Sequence, residues 1–269
     1  MFNKTPEFAD FDDADLRRVA VELMHCPSAD WSGINRKWWE WAMVLRTAEY
    51  YGYLDCGKVA LGIGSGFEPP IFALANRMRM TIATDLYGQT VFSGHEANAV
   101  MLENPASKCE FDYDEQGLLV ARMDACDIPY ADASFDFLFS CSSLEHFGRD
   151  KKIVKAMQEA YRVLRPGGAY ALSVDYAFIL GDRNRGRNRA KRKGLFSEFF
   201  TAAEVQGLIV GSTGFELREP IRFEVDTSTI TNVFNLQTWE SESGEYLPHV
   251  WLGSDESFAT SLFLVLFKL

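Results

Sequence analysis

The chain has 269 residues, 47% of them apolar, with 27 Lys+Arg against 38 Asp+Glu for a net charge of −11. That length and apolar share exclude disorder as the main state and suit one large domain or two small ones. The acidic balance disfavours general binding to nucleic acid or an anionic membrane. No apolar run approaches the ~20 residues of a membrane span, and the acidic opening MFNKTPEFADFDDADLRR lacks the apolar core of a signal peptide.

Cys26, Cys56, Cys109, Cys126 and Cys141 are odd in number, scattered and without a CxxC spacing. They are expected to be reduced thiols of a cytoplasmic protein.

The opening 30 residues show no clear periodicity. Ile34 to Tyr51 is a predicted helix, with Ile34, Trp38, Trp41, Leu45 and Ala48 at spacings of three or four. Its Trp38, Trp39 and Trp41 suit packing on a main domain, with a lid over a ligand as the alternative for Trp38 or Trp39. Lys58–Gly62 is a buried strand ending in glycines, and Glu68–Met78 a helix with Pro69 and Pro70 in its first turn. Met80–Thr84 is a second strand, closed by Asp85. Ala97–Glu103 is a helix, Gly117–Met123 a strand closed by Asp124, and Phe135–Ser140 a fourth strand. Lys151–Leu164 is an amphipathic helix stopped at Arg165-Pro166-Gly167-Gly168. Ala169–Val174 is a fifth strand, Thr201–Val210 a helix, Phe215–Arg218 a short strand and Phe258–Lys268 a long terminal one. This alternation predicts an α/β fold: a mostly parallel sheet with helices on both faces and ligands at the carboxyl ends of its strands.

The residues after those strands carry the chemistry. Gly62-Ile63-Gly64-Ser65-Gly66 permits a tight turn with the backbone close to a ligand. Its third glycine comes one position earlier than a dinucleotide fingerprint requires, which disfavours a nicotinamide oxidoreductase. Asp85 offers a carboxylate to ribose hydroxyls, or caps a helix. Asp124 and Ala125 offer an acceptor and a backbone donor to an adenine. Loop and both acidic positions together describe adenosine without a pyrophosphate.

The segments ALGIGSG, ATDLYG, RMDACDIPYADASFDFLFSCSSLEHFG and AYRVLRPGGAYALSVDY, between Lys58 and Tyr176, resemble a class I S-adenosylmethionine-dependent methyltransferase. The resemblance implies a Rossmann-like seven-stranded sheet whose last strand is antiparallel. It places Gly62, Gly64, Ser65 and Gly66 on the cofactor, S-adenosyl-L-methionine, whose product is S-adenosyl-L-homocysteine. Asp85 and Leu86 fall at the ribose, Asp124 and Ala125 at the adenine, and Ser140 at the methionine. Such proteins usually carry an acidic residue two positions before the first glycine, where this chain has Ala60. Glu68 either substitutes for it at the methionine amino group or serves only as a favourable charge at a helix N-terminus. The implied division is a single methyltransferase domain over 1–269. It comprises a helical cap at 1–57, a cofactor core at 58–180, acceptor-side loops and a lid at 181–257, and a terminal strand at 258–269.

Transfer to a hydroxyl calls for a base. His146, in Ser143-Leu144-Glu145-His146 after the fourth strand, suits that task at neutral pH, or else caps the next helix. Glu145 would orient His146 or bind the acceptor, and Asp175 is the rival base. A divalent ion on His146, Asp175 and His249 is the disfavoured alternative, with no adjacent ligand pair to support it. Arg183–Lys193 holds seven basic residues in eleven. It is a solvated loop, a grip on phosphate or carboxylate of an anionic acceptor, or, least favoured, a nucleic-acid contact. Between Glu219 and Ser257, Trp239, Tyr246, His249 and Trp251 suit a sugar ring, a plain lid or a homodimer contact.

The expected function is O-methylation of a polar small molecule such as a sugar or glycan. An N-methyltransferase or natural-product methyltransferase is the near alternative, and a non-catalytic S-adenosylmethionine-binding regulatory protein the distant one.

Overall fold

The computed structural model describes residues 1–25, 35–90, 92–148, 150–180, 199–231, 250, 252–254 and 257–269. Cys26, Arg183–Lys193, Trp239, Tyr246, His249 and Trp251 lie outside the described residues.

The opening residues contain a helix that the sequence did not announce, α1 (Ala14–Leu23). Asp13 caps it by accepting the Leu16 N–H at 2.8 Å. Leu16, Val19, Ala20 and Leu23 form its buried stripe, in one core with α2 (Arg36–Tyr50). Asn35 caps α2 by accepting the Lys37 N–H at 2.9 Å.

Among the described residues seven strands follow: β1 (Val59–Ile63), β2 (Met80–Asp85), β3 (Leu118–Arg122), β4 (Phe135–Cys141), β5 (Leu164–Ile179), β6 (Leu252–Ser254) and β7 (Ser257–Phe267). They form one sheet in the order β3-β2-β1-β4-β5-β7-β6, with β1 to β5 parallel and β7 antiparallel to β5. Side chains alternate across it. Ala60, Phe137, Phe139 and Ala171 face the core shared with α1, α2 and α3 (Pro69–Ala75). Leu61, Ile63, Leu138 and Leu172 face the core shared with α4 (Asp150–Val163).

Three elements depart from expectation. Ala97–Glu103 is a 3₁₀ helix over Ala99–Leu102. Thr201–Val210 is one capped turn, Ala202–Glu204, running into a π-helix over Val205–Val210. Phe215–Arg218 is no strand: only Glu216 pairs, with Phe267. The outer edge of β7 is instead shared among β6, Lys4 against Phe263, and Glu216. Lys4 takes the middle of that edge and limits the Phe215 segment to one bridge.

The strand order reverses between β1 and β4, so the carboxyl ends of these strands diverge and leave a crevice.

Candidate active site

A cavity of about 640 Å³ lies along those carboxyl ends, within the ~300–1,000 Å³ of small-molecule sites. Gly64, Ser65 and Gly66 line it beneath β1. Gly64 and Gly66 have φ of 60° and 50°, where a side chain is strained. A Cβ on Gly64 would meet Ser143 Cβ at 2.9 Å, and one on Gly66 the Glu96 carbonyl oxygen at 2.8 Å. Gly62 does not line the cavity. Its glycine is a packing requirement, since a Cβ there would stand 2.6 Å from Phe139 Cζ.

Asp85 ends β2 with Oδ2 accepting the Gly66 N–H at 3.1 Å and Oδ1 accepting the Leu86 N–H at 2.7 Å. Tyr87 Oη donates to the Gly66 carbonyl at 2.6 Å. Asp85 therefore holds the glycine turn while it and Leu86 border the cavity. Burial pushes its carboxyl up, the Leu86 and Gly66 N–H groups pull it back, and Glu96 adds a smaller push. Asp124 and Ala125 line the wall after β3, and Asp124 Oδ1 accepts the Cys126 N–H at 2.8 Å. Ser140 is fully buried inside β4 and off the cavity; the lining begins one residue later, at Cys141, Ser142 and Ser143.

His146 ends a 3₁₀ turn, Leu144–His146, exposed on the cavity with its ring against Phe92 at 4.7 Å between centroids. Glu145, beside it in sequence, is fully buried and off the cavity lining, with Oε1 accepting the Asp175 N–H at 3.0 Å, which corrects its expected role in binding acceptor. Successive residues of a tight turn point apart, one into the core and one into the cavity. Asp175 lines the cavity but lies within β5, opposite Ser261, rather than past the strand end. Its Oδ1 is paired to Arg36 at 2.9 Å.

Charge brought into the site by α2 was not foreseen from the sequence. Arg36 and Lys37 line the cavity, whereas none of Trp38, Trp39 and Trp41 does. Trp39 is buried, donating to Asp10 at 3.0 Å, and Trp38 packs edge-on against Trp41. Lys37 Nζ lies 2.8 Å from Glu68 and 3.1 Å from Glu40. Glu40 is fully buried with every oxygen engaged: Oε1 accepts from Arg36 and Ser261, Oε2 from Lys37, Ser142 and Ser173. Burial alone would raise its carboxyl, yet Lys37 and Arg36 hold it down at about 2. Burial raises Glu68, with Lys37 opposing.

Sequence reasoning also missed the loop after β2, where Thr90, Phe92, His95, Glu96 and Ala97 line the cavity, and Lys152 at the start of α4. His95 makes a second histidine on the cavity. Among the described residues no three His, Cys, Asp or Glu side chains come together as a metal site.

Residues 60–172 match the family described as a methyltransferase domain. They are a class I S-adenosylmethionine-dependent methyltransferase domain. Over 119 residues the chain is 34% identical to the 27-O-demethylrifamycin SV methyltransferase of Amycolatopsis mediterranei, covering 44% of this chain and 39% of that protein. Over 130 residues it is 30% identical to the methyltransferase GfsG of Streptomyces halstedii, covering 47% and 42%. The matches thus span about two fifths of these relatives. In fold the chain is similar to the (4+2) cyclase SpnF, with a TM-score of 0.54, 14% identity and coverage of 100% and 99%. It is likewise similar to a putative sarcosine dimethylglycine methyltransferase from Galdieria sulphuraria, with a TM-score of 0.53, 15% identity and coverage of 94% and 98%.

The methyltransferase family's cofactor is S-adenosylmethionine, and the cavity suits it. The turn at Gly64 and Gly66 leaves room only for glycine, carboxylates follow β2 and β3, and Glu68 has a buried oxygen, Oε2, without a donor among the described residues.

Proposed function

We propose that the protein transfers a methyl group from S-adenosylmethionine to a hydroxyl oxygen of a polar small molecule. One observation carries this: the glycine turn, Asp85, Asp124 and His146 all border a single cavity. In the proposal Asp85 and Leu86 hold the ribose, Asp124 and Ala125 the adenine, Gly64 to Gly66 the chain between, and Glu68 the methionine ammonium. The cofactor supplies an activated methyl on a sulfonium. His146 takes the acceptor's proton as the carbon–oxygen bond forms and the carbon–sulfur bond breaks, leaving S-adenosylhomocysteine and an imidazolium. Asp175, tied to Arg36, serves this step as an anchor of the cavity wall rather than as its base.

Oxygen as the acceptor atom is supported by the Amycolatopsis relative, a methyltransferase of 27-O-demethylrifamycin SV. A sugar or glycan acceptor rests on the aromatic and polar composition of 219–257, and an anionic group on it rests on Arg183–Lys193. The proposed compartment is the cytoplasm, which keeps scattered thiols reduced; no helix among the described residues is long and apolar enough to cross a membrane. The proposed organisation keeps 1–57 as a cap over the 58–180 core, with 181–257 on the acceptor side. Fold likeness to a cyclase shows that this architecture alone does not set the reaction.

Incubating the protein and methyl-labelled S-adenosylmethionine with pools of sugars, glycans and polyketides should label one acceptor on oxygen, read by mass spectrometry. Label on nitrogen would move the reaction to the N-methyltransferase class. Cofactor binding without label in any pool would favour a regulatory protein.

A further inference from the structure

The loop between β2 and the 3₁₀ helix at Ala99–Leu102 lines the cavity with Thr90, Phe92 and His95, none of which the transfer step above employs. Its own hydrogen bonds make it rigid. Gly88 turns the chain at a φ of 75°, a conformation glycine adopts without strain. The Gly88 N–H then donates to the Ala97 carbonyl at 2.9 Å and closes the loop. Inside that closure both polar groups of the Phe92 backbone are held. Its N–H donates to Thr90 Oγ1 at 3.1 Å, and its carbonyl accepts the His95 and Ala97 N–H groups at 2.9 and 3.1 Å. Thr90 is fixed in turn by Ser93, whose Oγ accepts the Thr90 N–H at 2.9 Å and donates to the Thr90 carbonyl at 2.6 Å. At the root of the loop, Tyr87 Oη ties it to the Gly66 carbonyl. A compact loop closed on itself in this way is a platform, and here it presents a ring.

That ring meets His146, with centroids 4.7 Å apart and planes at 52°. The two residues follow different strands, β2 and β4, which flank β1 in the sheet. The separation lies in the favourable range for aromatic pairs. It also lies inside the ~6 Å within which a cation is drawn to a ring. The second point matters because the transfer makes a cation at this place. As the carbon–oxygen bond forms and the carbon–sulfur bond breaks, the hydroxyl proton passes to His146 and leaves an imidazolium. The charge develops only during the reaction, so a ring already fixed beside it favours the transition state over the ground state.

We propose that Phe92 is the positioning residue for His146, holding the imidazole in one orientation on the cavity and stabilising the imidazolium that the transfer produces. This role rests on the reading of His146 as the base.

Phe92→Leu removes the ring while keeping an apolar side chain and the backbone hydrogen bonds of residue 92. The titratable groups around His146 stay in place: Glu145 on its own turn, His95 and Glu96 on the loop, Asp124 after β3, Lys152 of α4 and Asp175 of β5. Proton NMR titration of the ligand-free full chain reads His146 directly, as the signal missing from His146→Ala. Without the ring the imidazolium is less stable, so the His146 midpoint should fall by about half a pH unit, the equivalent of a cation–ring contact. With the acceptor labelled in the pools above, the rise of kcat with pH should move down by the same amount. The plateau should drop by roughly two- to fivefold, and KM for S-adenosylmethionine should stay within about twofold. Phe92→Tyr restores a ring and should return the midpoint and most of the rate. A His146 midpoint in Phe92→Leu equal to that of wild type, or above it, overturns the proposal and leaves His146 to act as base without it. A lowered midpoint with the plateau and pH profile of kcat unchanged brings down the reading of His146 as the base, and the proposal with it.

Discussion

Replacing His146 by alanine should lower kcat by roughly 10²–10⁴-fold, the worth of a positioned general base, while S-adenosylmethionine still binds as in wild type. His146 borders the cavity from the turn after β4, exposed and held by a ring contact with Phe92 rather than sealed in the core. A neutral imidazole is needed to accept the hydroxyl proton. The wild-type kcat should therefore rise with pH through the range where imidazole titrates, and the variant should lose that rise. His95, on the loop after β2, borders the same cavity and is the natural control. His95→Ala should keep the pH profile. A His146→Ala variant with nearly wild-type kcat, or a His95→Ala variant that flattens the profile, would move the base elsewhere, with Asp175 next in line.

The second large effect is on stability. Removing one partner from a buried ion-pair cluster costs about 3–5 kcal/mol, because the remaining charges stay buried without compensation. Glu40→Ala does that to Arg36 and Lys37 and also strips acceptors from Ser142, Ser173 and Ser261. At a few degrees per kcal/mol, Tm should fall by on the order of 10 °C. The linkage sign is set by the depressed carboxyl. Glu40 ionises at about 2 in the folded chain, below the ~4.3 of an unfolded glutamate. Its contribution is complete above pH ~4.3 and drains away as pH falls toward 2. Thermal unfolding at pH 7 and pH 3 should show the gap between wild type and Glu40→Gln narrowing in acid. A gap that widens, or a Glu40→Ala variant with wild-type Tm, would show that the cluster does not hold α2 to the sheet.

Much of the sheet was legible from apolar runs ending at Gly62, Asp85 and Ser140, because strands buried on both faces leave continuous hydrophobic stretches, and the edge strand β3, only partly buried, was still marked by its apolar Leu118–Ala121 before Asp124. Helix α1 was not read from the sequence, because its short pattern, Asp13 followed by Leu16, Val19, Ala20 and Leu23, sits among acidic residues that mask it. The strand at Phe215–Arg218 has the right composition. What limits it to one bridge is competition with Lys4 for the β7 edge, a contact between residues more than two hundred positions apart. The site divides the same way. Gly64, Gly66, Asp85, Asp124 and His146 follow strand ends, so local order alone brings them to one crevice. Arg36 and Lys37 read as ordinary polar residues at a helix start. Only the docking of α2 over the ends of β4 and β5 turns them inward. The loop after β2, with Phe92 and His95, carries no periodic signal that could have placed it on the cavity.

The central claim is that this cavity holds the adenosyl group of S-adenosylmethionine through Asp85 and Asp124. Calorimetric titration of S-adenosylhomocysteine into wild-type protein and into Asp85→Ala tests it most directly, since the product binds without turnover. The account predicts one site per chain in wild type and a loss of roughly 1.5–3 kcal/mol in the variant, the scale of hydrogen bonds to a charged group. No binding to the wild-type protein, or equal affinity in a folded Asp85→Ala variant, would contradict it.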